Sequence, residues 1–264
     1  MRSNHCVTLG LCCALALIAC SKEKPTENVA TAASAAEAAQ PAAAHGAPFA
    51  VDSGSSKVEF LMEAPIEKIH GEAPQSVQGE LFFDVTDVTK SSGVVKVDLE
   101  KLVLYQQKRG DEKAQYGEKK KSDKQNEHMH DWLEISADSK NREQNRFAQF
   151  KVDKVENANV TDVTKLTGPA RPVVVTASGD LTVHGKKNRK STKLELTFNY
   201  AGDKLESVTV KTLEPLRVDL NEFDVRPRDP VGSILAKGLE TLSPKVAKEA
   251  PILLEFKATP SGAR

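Results

Sequence analysis

The stretch that decides the fold runs from residue 173 to residue 212, VVVTASGDLTVHGKKNRKSTKLELTFNYAGDKLESVTVKT. Val175, Ala177, Gly179, Leu181 and Val183 fall in one phase, Leu194, Leu196, Phe198 and Tyr200 in the next, and Val208 and Val210 in a third. Polar residues stand mostly between them, and Gly202-Asp203 marks a turn. Apolar residues at every second position describe strands with one dry and one wet face. Successive strands of this kind, separated by turn residues, read as a β meander.

Working outward, the same period holds in Val58, Phe60 and Met62, in Val77, Gly79, Leu81 and Phe83, and in Val95, Val97 and Leu99. It holds again in Phe150 and Val152, in Leu216, Val218 and Leu220, and in Ile252, Leu254 and Phe256. About eight or nine such strands curl into a barrel or split into a sandwich to remove their edges, and a barrel of about eight can hold a small ligand. The expectation from the pattern is an all-β chain over residues 51–260, and the alternation alone does not separate an antiparallel β-barrel of about eight strands from a sandwich. Inward-facing Phe60, Met62, Leu81, Phe83, Val97, Leu99, Phe150, Leu181, Leu196 and Phe198 would form a continuous apolar lining for a ligand. The same ten side chains are equally what a packed core needs. No internal repeat is read.

Two segments break the alternation. Gln106 to Gln144 reads as a charged loop followed by a short helix carrying Met129, Trp132, Leu133 and Ile135. Between Pro230 and Ala250, Val231, Ile234, Leu235, Leu239 and Leu242 recur at helical spacing, which predicts a helix before the last strand that caps the barrel.

The N-terminus has one early cation, Arg2, and an apolar run from Val7 to Ala19. That is signal-peptide architecture over residues 1–19, and the run is too short for a span, which needs about 20 residues. Leu17-Ile18-Ala19-Cys20 resembles the lipobox of bacterial lipoproteins. The resemblance implies cleavage before Cys20, acylation of that cysteine, and anchoring of the mature chain to a membrane. Two or more acyl chains hold firmly where one is marginal. Ser21 rather than Asp after the cysteine points, by the sorting rule of that class, to the outer membrane with the domain facing the periplasm. Cys6, Cys12 and Cys13 fall in the peptide, so Cys20 is the one cysteine of the mature chain and no intramolecular disulfide is expected. Residues 20–50, Ala-rich with scattered Pro and polar residues, read as a disordered tether spanning roughly 30 Å.

Lys and Arg number 37 against 37 Asp and Glu. That balance supplies no overall basic surface for nucleic acid, and none is expected as a partner.

Ser178-Gly179-Asp180-Leu181-Thr182-Val183-His184-Gly185, followed by Thr192 to Phe198, resembles the YceI-like family, whose hallmark is a G-x-L-T-[LV]-H-G strand end. Ser56 to Phe60 resembles that family's opening S-x-V-x-F strand, Gly79 to Asp84 its G-x-x-x-F-D strand, and Val218 to Val225 its I-x-R-x-x-F-G-[IV] segment. Arg146 to Phe150 stands at the family's Y-P-x-x-x-F, and Ile252 to Ala258 fits its closing strand. The resemblance implies an exported, lipocalin-like barrel that holds a polyisoprenoid or similar amphiphilic lipid and is a binder rather than an enzyme. It implies no cofactor beyond such a lipid. Two places depart from the pattern. Glu127 to Glu134 replaces the usual R-D-x-H-L-R-S segment after a longer, more charged loop, and Lys186-Lys187-Asn188-Arg189-Lys190 replaces V-T-K-P-V with a basic turn.

Other chemistry is thinly represented. His128, His130 and Asp131 suggest a metal only if a strand puts both imidazoles on one face and a distant His70 or His184 completes the set; on a helix they diverge. There is no H-E-x-x-H, no G-x-S-x-G elbow and no phosphate-binding glycine loop. A third reading is a surface lipoprotein with a packed barrel that acts through protein contacts at the 106–144 insertion.

Overall fold

The computed structural model describes residues 45–226 and 248–262. The expected signal peptide, Cys20 and most of the tether lie outside the described residues, as does nearly all of the helix expected from Pro230; its last two positions, 249 and 250, open a strand instead.

The strands are β1 (Ala47–Ala64), β2 (Glu67–Pro74), β3 (Val77–Phe83), β4 (Ser92–Asp98), β5 (Val103–Lys108), β6 (Lys120–Lys121), β7 (Phe147–Glu156), β8 (Ala170–Val183), β9 (Lys186–Ala201), β10 (Lys204–Thr212), β11 (Leu216–Asp219) and β12 (Glu249–Pro260); all but β2, β5 and β6 hold one of the alternating segments. They pair antiparallel in the order β11-β12-β10-β9-β8-β7-β4-β3-β1-β2-β5-β6, and β12 also pairs with β1. The circuit β1-β3-β4-β7-β8-β9-β10-β12 therefore closes as an eight-stranded barrel, with no free edge around the ring.

Three of the remaining strands extend members of that ring. β2 and β3 both pair with β1 and are separated only by Gln75, at φ 55°, and Ser76. β5 continues β4 after a short turn at Leu99–Lys101, and β11 continues β10. Leu99, expected in the β4 alternation, belongs to that turn. The reason is Asp98, whose side chain accepts from Glu100 N (3.2 Å) and ends the strand.

Hairpin alternation gives the barrel two unlike ends. At the floor, Phe49 packs edge-on against Phe83 with ring centroids 5.2 Å apart, and Phe83 against Phe198 at 5.7 Å. Phe49 pulls the first strand back to Ala47, so the barrel begins inside the stretch expected as tether. A short repeat that the strand reading passed over completes the floor. Thr-Asp-Val-Thr-Lys occurs at 86–90 and again at 161–165, each time as a single turn capped by its Asp. Val88 N donates to Thr161 O (2.9 Å) and Val163 N to Val85 O (2.8 Å), so the two turns bind each other and bury both valines completely.

At the other end, β7 pairs with β4 only as far as Asp98–Phe147, and β5 runs on to pair with β6. The wall parts there. Into the gap goes the 106–144 insertion, with helix α1 (Asp123–Trp132) and the short α2 (Arg142–Asn145). A loop and then a short helix were expected over this stretch; it forms the end of β5, a loop interrupted by the two-residue β6, and two short helices.

Candidate functional site

Between floor and insertion the barrel encloses a cavity of about 420 Å³. Its size lies within the range of small-molecule sites. Nine of the ten side chains expected to face inward line it: Phe60 and Met62 from β1, Leu81 and Phe83 from β3, Val97 from β4, Leu99 from the turn, Phe150 from β7, Leu181 from β8 and Leu196 from β9. Phe198, two residues along β9 from Leu196, does not; it is fully buried in the floor against Phe83.

Two glycines shape the wall. A Cβ on Gly71 would fall within 2.1 Å of the Phe60 ring, so the ring occupies the space over the bare backbone of its cross-strand partner. A Cβ on Gly179 would fall 2.0 Å from the Lys151 carbonyl oxygen, beside the irregular step at Val152/Lys154. Gly179 is needed there because β7 and β8 approach too closely for any side chain.

Among the lining residues that the strand pattern did not offer as ligand contacts are those of α1. Gln125, His128, Met129, Trp132 and Leu133 all line the cavity, at the i, i+3, i+4, i+7, i+8 spacing of one helical face. Their signal was present in Met129, Trp132 and Leu133, but nothing local says that this face turns towards the barrel. Ser122 caps the helix, and its Oγ accepts from Gln125 N (3.4 Å). Asn126 ties the helix to β5: its Oδ1 accepts from Leu104 N and its Nδ2 donates to Leu104 O, both at 2.9 Å.

The far end of the helix is fastened to two other segments. Glu134, at φ 51°, follows the helix, and its carboxylate lies 2.7 Å from Nε2 of buried His184 in the β8–β9 turn. His184 Nδ1 is 3.3 Å from the Phe223 carbonyl. The histidine of the G-x-L-T-V-H-G signature is thus a fastener between insertion, hairpin and the residues after β11.

Because α1 is a helix, His128 and His130 point to different sides. His128 lines the cavity and stacks on Trp132 with ring centroids 5.9 Å apart, while neither His70 nor His184 joins it: His70 Nε2 meets Gln107 Oε1 at 2.7 Å. Among the described residues, no group of three or more His, Cys, Asp or Glu side chains is placed to hold a metal.

Among the described residues, no lysine or arginine lines the cavity, and Glu67 is the one acidic residue that does. The basic stretch 186–190, expected as a turn, opens β9 and is largely paired: Arg189 with Asp153 and Asp180, Lys187 with Asp180 (3.7 Å), Lys190 with Glu222 (2.5 Å). The Arg189 hydrogen bond holds the Asp153 carboxyl below its ordinary range, against a smaller opposing effect of burial. Where the wall parts, Arg146 Nε (3.1 Å) and Nη2 (2.7 Å) bind the buried Asp98 carboxylate. Burial acts to raise the Asp98 pKa, but the Arg146 hydrogen bond, the Glu100 N–H and the Arg146 charge together carry it below the usual carboxylate range.

A closed antiparallel barrel with a hollow apolar interior and a helix laid across its open end defines a lipocalin-like binding barrel. The sequence model of the YceI-like domain matches residues 49–258, and the chain belongs to that family. Among solved structures it is similar to a polyisoprenoid binding domain from Saccharophagus degradans implicated in plant cell wall breakdown, at 14% identity and TM-score 0.51 over 81% of this chain and 98% of that one. It is also similar to BcnA of Burkholderia cenocepacia, at 15% identity and TM-score 0.48 over 80% of this chain and 99% of that one. No curated protein matches the chain.

Proposed function

We propose that this protein is an exported, lipid-anchored carrier that holds a polyisoprenoid or similar amphiphilic lipid in its barrel and performs no reaction on it. One observation carries the reading: a cavity of about 420 Å³, walled by the apolar faces of the barrel strands and covered by the inner face of α1. Such a site binds by removing hydrocarbon from water, at about 0.8 kcal/mol per buried methylene, and needs few directional contacts. Polyisoprenoid binding by the Saccharophagus degradans domain supports the same ligand class for a barrel of this fold. Phe60, Met62, Leu81, Phe83, Val97, Leu99, Phe150, Leu181 and Leu196 are the proposed barrel contacts, joined by Met129, Trp132 and Leu133 from α1. Phe198 supports the floor.

The lipobox supports acylation at Cys20 and residence at the outer membrane facing the periplasm, with the residues before Ala47 as tether. The direct experiment is native mass spectrometry of the chain purified without detergent, followed by organic extraction. A stoichiometric prenyl-type mass is the expected result. A protein that carries no lipid and takes up none of a series of added isoprenoids would overturn the carrier reading and leave the insertion as a protein-contact surface. For the anchor, Cys20→Ala should release the chain from the membrane fraction; if it stays, the acyl anchor is not what holds it.

A further inference from the structure

The polar atoms that line the cavity fall into two groups. Ser91 Oγ accepts from Asp84 N (3.2 Å), Thr192 Oγ1 donates to Glu214 O (3.2 Å), and Thr212 Oγ1 bonds both Leu254 N (2.9 Å) and Leu254 O (3.3 Å). These hydroxyls stitch the wall. The second group is Glu67, Gln125 and His128, gathered at the insertion end from β2 and α1. Glu67 Oε1 accepts from Gln106 and from Gln125 Nε2 (3.3 Å), which orients the carboxylate. Glu67 is the single acidic residue of the lining, and among the described residues no lysine or arginine lines the cavity.

An amphiphile in an apolar tube places its head where the polar groups are. Here that place offers a carboxylate and an amide oxygen, which accept hydrogen bonds, and no lysine or arginine to neutralise an anion. A phosphate head would meet a like charge where water is partly excluded and screening is weak. A hydroxyl head would donate to Glu67 or to the Gln125 carbonyl, and such a contact between an uncharged donor and a carboxylate is among the stronger hydrogen bonds.

Resting on the carrier reading, we propose that the Glu67–Gln125–His128 cluster selects isoprenoids with an uncharged, hydrogen-bond-donating head, prenyl alcohols, and rejects prenyl phosphates. The basic stretch 186–190 that opens β9 does not supply the missing cation, since none of its residues lines the cavity.

The test is a direct binding titration of the full chain, free of detergent, with geranylgeraniol and with geranylgeranyl monophosphate, repeated for Glu67→Gln and Glu67→Lys. Glu67 lies just after the β1–β2 turn and is only half-buried, and the Gln variant keeps its size. The wild type should bind the alcohol on the order of tenfold more tightly than the phosphate. Glu67→Gln should narrow that ratio chiefly by improving the phosphate, and Glu67→Lys should reverse it. Equal affinities in the wild type, or a ratio that neither variant moves, would overturn the head-group assignment while leaving the carrier intact. If neither compound binds the wild type, the carrier reading falls first and this one with it.

Discussion

The two halves of the barrel are built from the same strands in the same alternation, yet one is solid and the other hollow. At the floor, Phe49, Phe83 and Phe198 meet edge to face and the paired Thr-Asp-Val-Thr-Lys turns plug what remains. Towards the insertion, inward residues such as Phe150 and Leu181 border open space, and α1 crosses it as a cover. Period-two patterning sets which face a side chain takes. Whether that face is core or binding surface depends on how far away the opposite wall stands.

The sharpest way to break this comparison is to truncate one aromatic or aliphatic residue in each half. Phe198→Ala should cost about 3–5 kcal/mol, because the floor around it cannot collapse, while Leu181→Ala should cost less than half of that, since its side chain already borders a void. Urea unfolding of the two variants reads the difference directly, and equal losses would mean that the upper half is packed as tightly as the floor.

The next largest effect belongs to the boundary between halves, where Asp98 and Arg146 hold the last rung before β5 leaves β7. Asp98→Asn should cost about 2–4 kcal/mol at neutral pH, as loss of one partner of a mostly buried, doubly hydrogen-bonded pair does. The folded Asp98 carboxyl is lowered, so its contribution is complete above its unfolded value of about 3.9 and disappears as pH falls through the folded value. The gap between wild type and variant should therefore be constant from about pH 5 upwards and close below about pH 4. A gap that persists undiminished to low pH would remove the ion pair as its cause.

Filling the hollow half should separate binding from stability. Ala148 lines the cavity from β7, and Ala148→Phe projects a ring into it. Lipid affinity should fall by about tenfold or more, a change of roughly 1.4 kcal/mol, with the unfolding midpoint nearly unmoved. A large loss of stability with binding intact would place the ring in packed wall instead.

The smallest effect concerns the cover. Trp132→Ala removes the stack on His128 and uncovers part of the cavity, so bound lipid should exchange severalfold faster while stability changes by about 1 kcal/mol. Unchanged exchange would move the route of entry away from α1.

Much of this was legible in the chain. The strand phases around 173–212 placed nine of ten expected side chains on the cavity wall, and the family signature ending in His184-Gly185 lay where β8 turns into β9. Other features were hidden for identifiable reasons. The Thr-Asp-Val-Thr-Lys repeat is too short and polar to register as a strand or helix, although it closes the floor. Leu99 kept the alternating phase but not the strand, because the neighbouring Asp98 caps a turn. His128 and His130 looked like a pair only on the assumption of a strand, which the helical spacing of Met129, Trp132 and Leu133 contradicts.

Sequence alone determined the all-β class, the inward faces of the alternating strands and the helix in the insertion, since each is encoded by residues within a few positions of one another. Tertiary structure alone decided that Leu196 borders a cavity while Phe198 belongs to the floor, and that Glu67 meets Gln125 across 58 positions of chain. Local spacing encodes the direction of a side chain. Its neighbour is encoded by closure of the barrel, which brings together residues whose positions in the chain carry no record of one another.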